Sequence, residues 1–264
     1  LIWSETCEPT TPTQIKMFPI SGKVALITGG SEGIGAAIAK ELLRAELKGV
    51  AILGRSAGKG TRRVEELTNE FGKGRVIFIR ADVLIKEEIE EAFKKTVETF
   101  NNIDIVVNNA LSRTKDWDRY IAANLTGTIT GTMLAYETYL PKYASDNKGV
   151  IINISSPSGL YGSPFSPLYA AAKSGSIALT ISLGSDYHYN RTGIKVIAVC
   201  PGYTDTAAID LGQDNFQGPA YYEAFVEAIK ALPPPQPASV VGKAVVTVIK
   251  EARSGSIWMV HDSQ

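Results

Sequence analysis

The stretch Val24-Ala25-Leu26-Ile27-Thr28-Gly29-Gly30-Ser31-Glu32-Gly33-Ile34-Gly35 decides how this chain folds. Its first four residues are all apolar, which is typical of a strand buried on both faces of a parallel sheet. Glycines then allow a tight turn, and residues 36–43 continue with a helical pattern. Strand, glycine turn and helix together predict a site for a dinucleotide pyrophosphate, held by free N–H groups at the positive end of the helix dipole.

Similar apolar runs rich in Val and Ile recur along the chain, with helical patterns between them. We predict strands near 24–28, 50–54, 75–80, 104–108, 149–155, 195–200 and 256–260. Right-handed crossovers between such strands predict an α/β fold, a doubly wound (Rossmann) parallel seven-stranded sheet with helices on both faces. With 264 residues, 44% of them hydrophobic, the chain suits one large core and therefore a single domain.

We divide the chain into two parts. Residues 1–16 show no periodicity, and we expect a non-native or disordered extension there, with native translation starting at Met17. Residues 17–264 are expected to form the dinucleotide-binding catalytic domain. Within it, residues 207–231 are expected to form a mobile lid over the substrate.

Charge and composition exclude several classes of protein. The 27 basic and 27 acidic residues give a formal net charge of zero, so no global field attracts nucleic acid or an anionic membrane. No apolar run approaches the roughly 20 residues of a membrane-spanning helix. Cys7 and Cys200 lack metal-ligand spacing, which argues against zinc and favours a reducing, cytoplasmic setting. We expect a small-molecule substrate and no metal.

A second pattern is Tyr169-Ala170-Ala171-Ala172-Lys173, which lies downstream of Ser156. A four-residue step on a helix places the phenol and the ammonium on one face, where the positive charge is expected to lower the tyrosine pKa. The phenol then becomes a usable acid or base. Alone, the spacing would indicate only an exposed pair worth about 0.2–0.5 kcal/mol, and Ser156 a hydroxyl bonded to backbone. The glycine turn upstream favours the chemical interpretation.

Together these motifs resemble the short-chain dehydrogenase/reductase family, from about Gly22 to the C-terminus. The resemblance implies hydride transfer between a nicotinamide and a carbonyl or secondary alcohol carbon. Four residues match the family's catalytic positions: Asn124, Ser156, Tyr169 and Lys173. By this resemblance Tyr169 moves the hydroxyl proton and Ser156 fixes the reacting oxygen. Lys173 acts on the tyrosine and holds the nicotinamide ribose, and Asn124 anchors a water of the proton relay.

The segments 200–202, 236–238 and 255–258 resemble most the branch that contains insect alcohol dehydrogenases and 15-hydroxyprostaglandin dehydrogenase. The family resemblance also implies where the cofactor is held, from the glycine turn to the segment after Cys200. The residues expected to bind it are Gly29, Ser31, Glu32, Gly33, Ile34, Gly35, Arg55, Asp82, Val83, Asn109, Ala110, Tyr169, Lys173, Pro201, Gly202, Thr204 and Thr206.

The end of the second predicted strand, Gly54-Arg55-Ser56, favours NADP(H). An NAD-preferring enzyme of this fold generally carries a carboxylate there to hold the adenosine ribose. Arg55 instead offers a planar guanidinium to a 2′-phosphate, and Ser31 adds a hydroxyl. Glu32 opposes this interpretation because a carboxylate would repel the phosphate, and Arg55 also suits a solvated surface position. NAD therefore stays open as the alternative.

The residues around the predicted reaction centre are largely apolar and favour a lipophilic secondary alcohol or ketone. Aromatic residues at helical spacing equally suit ordinary packing. We expect substrate contacts from Ser156, Leu160, Tyr161 and Tyr169, surrounded by Phe165, Leu168 and the lid residues Ile209, Leu211, Phe216, Tyr221, Tyr222 and Phe225. The resemblance further implies a homodimer or homotetramer that packs through helices at 115–141 and 166–190.

One position departs from the family's pattern. The family reads Asn-Asn-Ala-Gly at the end of the fourth strand, whereas here Leu111 follows Ala110 and the loop to Asn124 is one residue shorter. A bulky side chain beside the cofactor would shift it or weaken its binding. We therefore keep a second hypothesis, a catalytically weak binding or storage protein with the same fold.

Overall fold

The computed structural model describes residues 17–207, 209 and 212–261. The expected extension at 1–16 and Leu211 of the expected lid lie outside the described residues. The strands in the described part are β1 (Val24–Thr28), β2 (Gly49–Gly54), β3 (Val76–Arg80), β4 (Ile105–Asn108), β5 (Gly149–Ile154), β6 (Ile194–Pro201), β7 (Thr204–Asp205), β8 (Gln236–Pro237) and β9 (Ile257–Val260).

Seven of these strands form one parallel sheet in the order β3-β2-β1-β4-β5-β6-β9. The chain first winds outward from β1 to β3 and then crosses back to β4, so the sheet has a switch point between β1 and β4. In a doubly wound fold the ligand crevice lies at the C-terminal strand ends at this point. The two short strands β7 and β8 pair with each other beyond that edge.

Helices connect the strands: α1 (Gly33–Arg44), α2 (Ala57–Phe71), α3 (Lys86–Phe100), α4 (Trp117–Ile121), α5 (Gly127–Met133), α6 (Leu140–Tyr143), α7 (Ser158–Tyr161), α8 (Pro167–Leu183), α9 (Asp186–Thr192), α10 (Pro219–Lys230) and α11 (Ala238–Glu251). Wide π-helical turns at Ala122–Thr126 and Leu134–Tyr139 join α4 to α5 and α5 to α6. Short 3₁₀ turns lie at Ser145–Asn147 and Gln213–Asn215. None of the helices in the described part is long and apolar enough to cross a membrane.

Helices cover both faces of the sheet, and the side chains of successive strand residues point to opposite faces. Ile27 packs in one apolar cluster together with residues of α1 and α11, whereas its neighbour Leu26 packs in a second cluster with residues of α3. Every residue of β1 is buried. A central strand buried on both faces explains why its sequence is apolar throughout rather than alternating.

The sequence prediction of the fold class is confirmed, and the seven main strands lie within a residue or so of their predicted bounds. The predicted helix 166–190 differs, because α8 ends at Leu183 and α9 begins at Asp186. A Cβ atom on Gly184 would lie 2.3 Å from the backbone nitrogen of Gly255, so the helix ends where another backbone segment passes very close.

Candidate active site

A cavity of about 860 Å³ lies at the C-terminal edge of the sheet. Its wall contains sixteen of the seventeen residues predicted to hold the cofactor, all but Gly35. Ser156 also lies on the wall, whereas Asn124, Leu160 and Tyr161 do not. The tertiary fold thus brings together residues that are more than 170 positions apart in the sequence.

The glycine turn that follows β1 requires backbone segments to pass very close to one another. Gly29 and Gly33 adopt φ angles of 66° and 57°, in the left-handed region that favours glycine. Gly35 lies beneath the turn in α1, where a Cβ atom would be 2.4 Å from the carbonyl oxygen of Gly29. Gly35 therefore shapes the turn rather than lining the cavity.

The end of β4 is locked to this turn by Thr28. Its Oγ1 accepts hydrogen bonds from the backbone N–H groups of Asn109 and Ala110, each at 3.0 Å. The Asn109 side chain donates back to the carbonyl oxygens of Thr28 and Gly29, at 3.0 and 3.2 Å. These bonds hold the two strand ends on either side of the switch point in one fixed arrangement, which suits a rigid cradle for a dinucleotide.

At the outer end of the cradle, several cations gather near Ser31. Arg55 and Lys59 line the cavity, and the Arg63 side chain donates to the carbonyl oxygen of Ser31 at 3.3 Å. The ammonium of Lys59 lies 2.7 Å from a carboxylate oxygen of Glu32. Sequence reasoning missed Lys59, which lies in the first turn of α2 and reaches back to Glu32.

At the inner end, Ser156, Tyr169 and Lys173 come together under the strand ends. Lys173 is 2% exposed, and its Nζ donates to the carbonyl oxygen of Ile154 at 2.8 Å. Nζ also lies 5.5 Å from the centroid of the Tyr169 ring. Ser156 Oγ accepts from the backbone N–H of Ser158 at 3.2 Å. The helix α8 supplies the phenol and the ammonium, and the end of β5 supplies the hydroxyl.

The pKa of Tyr169 moves in the direction opposite to the one predicted from the sequence. Burial raises the tyrosine pKa, and this effect outweighs the lowering by the Arg113 charge and by a hydrogen bond with Ser156. Burial also lowers the pKa of Lys173 to about 8. The net shift of the tyrosine pKa is therefore opposite to the predicted one, because burial desolvates both groups.

Asn124 lies in the first π-helical turn and is fully buried. Its amide nitrogen donates to the carbonyl oxygens of Ser112 and Tyr120, each at 2.8 Å, and its oxygen accepts from the Ser112 N–H at 3.3 Å. The side chain thus clamps the loop that follows β4. A role in holding a relay water stays a prediction.

Two of the predicted substrate contacts lie away from the cavity wall in the structure. Leu160 is 38% exposed and Tyr161 is 76% exposed, and neither belongs to the cavity wall. The short helix α7 turns Tyr161 toward the surface, where its hydroxyl donates to the sulfur of Met259 at 3.6 Å. Proximity to Ser156 in sequence did not reveal this outward direction.

Residues of the expected lid form part of the cavity wall. Ile209 and Phe225 line the cavity as predicted, and the wall also includes Phe165, Asn215, Ala228, Ile229 and Leu232. Phe216 is buried in ring contacts with Tyr222 and Phe225 instead.

Leu111 lies on the wall and is 38% exposed. Arg113 and His261 also lie on the wall, and sequence reasoning had identified neither.

Within the described residues, no group of three or more His, Cys, Asp or Glu side chains is arranged to hold a metal ion. The residues present instead fit a dinucleotide, because a backbone cradle with positive-φ glycines continues into a cleft that ends at a buried Tyr–Lys–Ser cluster. The fold and this site define a dinucleotide-binding α/β protein with acid–base groups at the inner end of its cleft.

Comparison with known proteins identifies the family. A family model described as short chain dehydrogenase matches residues 23–214. Human 15-hydroxyprostaglandin dehydrogenase [NAD(+)] is 32% identical over 255 residues, which cover 93% of each chain. Fat body protein 2 of Drosophila melanogaster is 30% identical over 249 residues, which cover 94% of this chain and 95% of that protein. The chain belongs to the short-chain dehydrogenase family.

A solved structure gives the same result for the fold. The crystal structure of a dehydrogenase/reductase from Sinorhizobium meliloti is 30% identical, with a TM-score of 0.72, and covers 92% of this chain and 95% of that chain. The predicted family and its branch are confirmed, and the protein is an oxidoreductase of a fold that binds nicotinamide cofactors.

Proposed function

We propose that the protein transfers a hydride between NADP(H) and a lipophilic secondary alcohol or ketone. The observation that carries this proposal is the meeting of Ser156, Tyr169 and Lys173 at the inner end of a cavity whose outer end is the glycine cradle. Proton transfer and cofactor binding are thereby combined in one cleft.

The bound nicotinamide supplies the hydride acceptor in alcohol oxidation and the hydride donor in ketone reduction. In oxidation, the carbinol C–H bond breaks, the C=O bond forms, and the hydroxyl proton passes to the ionised Tyr169. Reduction runs the same events backwards, with the neutral phenol as the proton donor. Ser156 holds the reacting oxygen through its hydroxyl, and Lys173 lies behind the phenol, anchored on Ile154.

Turnover with matched substrates tests this function. Purified protein is mixed with NADPH or NADH and a panel of lipophilic ketones, and the absorbance of the reduced nicotinamide is followed. We expect NADPH oxidation that depends on the ketone and is lost in Tyr169→Phe. Binding of NADPH without any turnover would instead favour the binding-protein hypothesis.

The preference for NADP(H) rests on the charges at the outer end of the cavity. Gly54 ends β2 without a carboxylate, and Arg55 and Lys59 lie on the wall beside Ser31. The ion pair between Lys59 and Glu32 offsets the repulsion that Glu32 would otherwise exert on a 2′-phosphate. The human relative is named for NAD(+), so cofactor choice is the point at which our proposal departs from it.

Substitution at Gly54 and Arg55 tests the cofactor preference. We expect Arg55→Ala to lower kcat/KM for NADPH about tenfold or more and to change that for NADH little, because a charge-assisted contact to the phosphate is lost. Adding Gly54→Asp should reverse the preference. A Cβ atom at Gly54 would meet Ser31 Oγ at 3.1 Å, and this serine side chain can shift slightly.

The matched control is Arg62→Ala, because Arg62 is an exposed cation of α2 outside the cavity wall. It should leave the NADPH/NADH ratio of kcat/KM unchanged. Equal effects of Arg55→Ala on both cofactors would contradict the assignment and favour NAD.

A lipophilic substrate is favoured by the inner wall of the cavity. The apolar lining includes Phe165 from the segment before α8, and Ile209, Phe225, Ile229 and Leu232 from α10 and its flanking segments. The rings of Phe165 and Phe225 lie 5.5 Å apart, so they close one side of the cleft. We propose that residues 207–231 act as the lid over this apolar space.

The pH dependence should follow the raised pKa of Tyr169. A raised pKa keeps the phenol protonated through neutral pH, so ketone reduction should stay level there and fall only on the alkaline side of the ordinary tyrosine value of 10. Alcohol oxidation needs the ionised phenol and should rise with pH. Tyrosinate absorbance of the cofactor-free protein, minus that of Tyr169→Phe, measures this ionisation directly. Ionisation below the ordinary value would contradict the structure.

The side chain at Leu111 is the observation that favours a second candidate function, that of a catalytically weak binding or storage protein. Its side chain lies on the cavity wall at the position where the family resemblance places a glycine. The fold itself is intact around it. The turnover panel with Tyr169→Phe separates the two functions.

Assembly into a homodimer or homotetramer also stays a proposal, which light scattering of the purified protein tests.

A further inference from the structure

Arg113 is the feature of the inner cavity that hydride transfer by itself does not use. It lies on the loop between β4 and α4, and its guanidinium carbon stands 5.7 Å from the centroid of the Tyr169 ring. Its Nε atom is shielded from solvent and has no hydrogen-bond partner within the described part of the chain. A shielded, unpaired guanidinium nitrogen is costly, so its presence beside the reaction centre needs a reason.

Among the residues that the structure describes, none forms an ion pair with Arg113. Glu32 and Asp82 are the acidic side chains on the described cavity wall, and both line its outer, cofactor end. Glu32 is already paired with Lys59. Among the described residues, the inner wall otherwise combines apolar side chains, neutral polar groups such as Ser166 and Asn215, and the Lys173 ammonium, which donates to the Ile154 carbonyl oxygen. The guanidinium therefore faces a cavity that is prepared for one negative charge from a ligand.

The loop that carries Arg113 is held in place from two sides. The buried Asn124 clamps its neighbour Ser112 through both amide atoms. Further along the loop, Lys115 forms an ion pair of 3.0 Å with Asp214 in the lid segment. A cation fixed in advance loses less freedom when it binds a ligand. The loop thus presents the guanidinium to the cavity and connects it to the lid.

We propose that Arg113 binds a carboxylate of the substrate, so that the substrate is a lipophilic hydroxy acid or oxo acid. This inference rests on the proposed function. Because the guanidinium lies beside the Tyr169 ring, the carboxylate stands within a few carbon atoms of the reacting carbon. A planar guanidinium accommodates both carboxylate oxygens. Because the Lys173 ammonium is anchored on Ile154 behind the phenol, Arg113 offers a single positive charge to a ligand, whereas a phosphate dianion would call for more.

Binding of an inert pair of probes tests the carboxylate site without any turnover. Octanoate and octanamide have the same length and differ in charge. Calorimetry with and without NADPH should show octanoate binding to the wild type about tenfold tighter or more. Arg113→Gln should reduce this preference to within about twofold, and Arg113→Lys should keep part of it. Arg119→Gln is the control and should keep the preference, because Arg119 is an exposed cation of α4 outside the cavity wall.

Turnover adds a readout on the reaction itself. The assay measures kcat/KM for the oxidation, with NADP⁺, of hydroxy acids that carry the hydroxyl on the second, third or fourth carbon. The methyl ester of each acid is measured in parallel. The acid/ester ratio of kcat/KM should fall about tenfold or more in Arg113→Gln. A role of Arg113 that acts only on the Tyr169 pKa would lower both rates together and leave the ratio unchanged, which would overturn the proposal.

The two proposals can fail separately. Equal binding of octanoate and octanamide to the wild type, or an unchanged preference in Arg113→Gln, overturns the carboxylate site whatever the turnover. Failure of NADPH to bind would contradict the proposed function alone. The comparison of octanoate with octanamide in the absence of cofactor would still test the carboxylate site. Circular dichroism of each variant confirms that the fold is retained.

Discussion

Tyr169→Phe is expected to lower kcat for hydride transfer by about 10²–10⁴-fold, because the substitution removes the group that donates or accepts the hydroxyl proton. The ring remains available for its contacts with the Lys173 ammonium and the Arg113 guanidinium, which lie 5.5 and 5.7 Å from its centroid. The dissociation constant of NADPH should change far less than kcat. Steady-state kinetics and fluorescence titration with NADPH measure the two quantities separately.

The control for this variant removes the same oxygen from a tyrosine outside the cavity. Tyr161 is 76% exposed, and its hydroxyl donates to the sulfur of Met259. Tyr161→Phe should leave kcat and KM unchanged within about twofold. If instead Tyr161→Phe raised KM for the ketone, the result would support the predicted substrate contact at Tyr161. If Tyr169→Phe kept full activity, the proposed chemistry would be wrong.

Gly35→Ala is expected to disrupt the cofactor cradle although Gly35 does not line the cavity. The added Cβ would lie 2.4 Å from the Gly29 carbonyl oxygen and 2.6 Å from the Asn109 amide nitrogen. A backbone oxygen cannot move without opening the turn. We expect the free energy of unfolding to fall by about 1–3 kcal/mol and kcat/KM for NADPH to fall about 10²-fold because the cradle is displaced.

Gly58→Ala is the matched control for the glycine variant. Gly58 lies in α2, and a Cβ atom there would meet nothing within 4 Å. Replacing a helical glycine with alanine should raise the free energy of unfolding by about 0.5–1 kcal/mol. Urea denaturation and NADPH titration of both variants provide the comparison. Wild-type NADPH binding in Gly35→Ala would show that the turn tolerates the side chain and would refute the close-approach argument.

Local patterns in the sequence predicted the elements that set the fold. The apolar run before Gly29 had to be a buried strand, because β1 is covered on both faces of the sheet. The step from Tyr169 to Lys173 placed both side chains at the cavity for a local reason as well, since both belong to α8. Such properties depend on neighbours within a few residues, which a single sequence displays directly.

Local sequence patterns could not predict how far the side chains of the site are buried. The sequence predicted a lowered Tyr169 pKa from the spacing to Lys173, whereas the enclosed cleft raises it and lowers the Lys173 pKa to about 8. Desolvation depends on atoms from many distant segments, and no spacing rule contains it. The same limit explains Tyr161, whose distance from Ser156 in sequence gave no information on the direction of α7.

By itself the sequence determined the order of strands and helices, the glycine turn and the family, because periodicity and short motifs express backbone geometry and strand burial. Only the tertiary structure decided the charge environment of the cleft. It paired Lys59 with Glu32 across 27 positions and set Arg113 beside Tyr169 across 56 positions. Electrostatic interactions act through space and depend on the surrounding dielectric, so they follow from the packed fold and not from the order of residues along the chain.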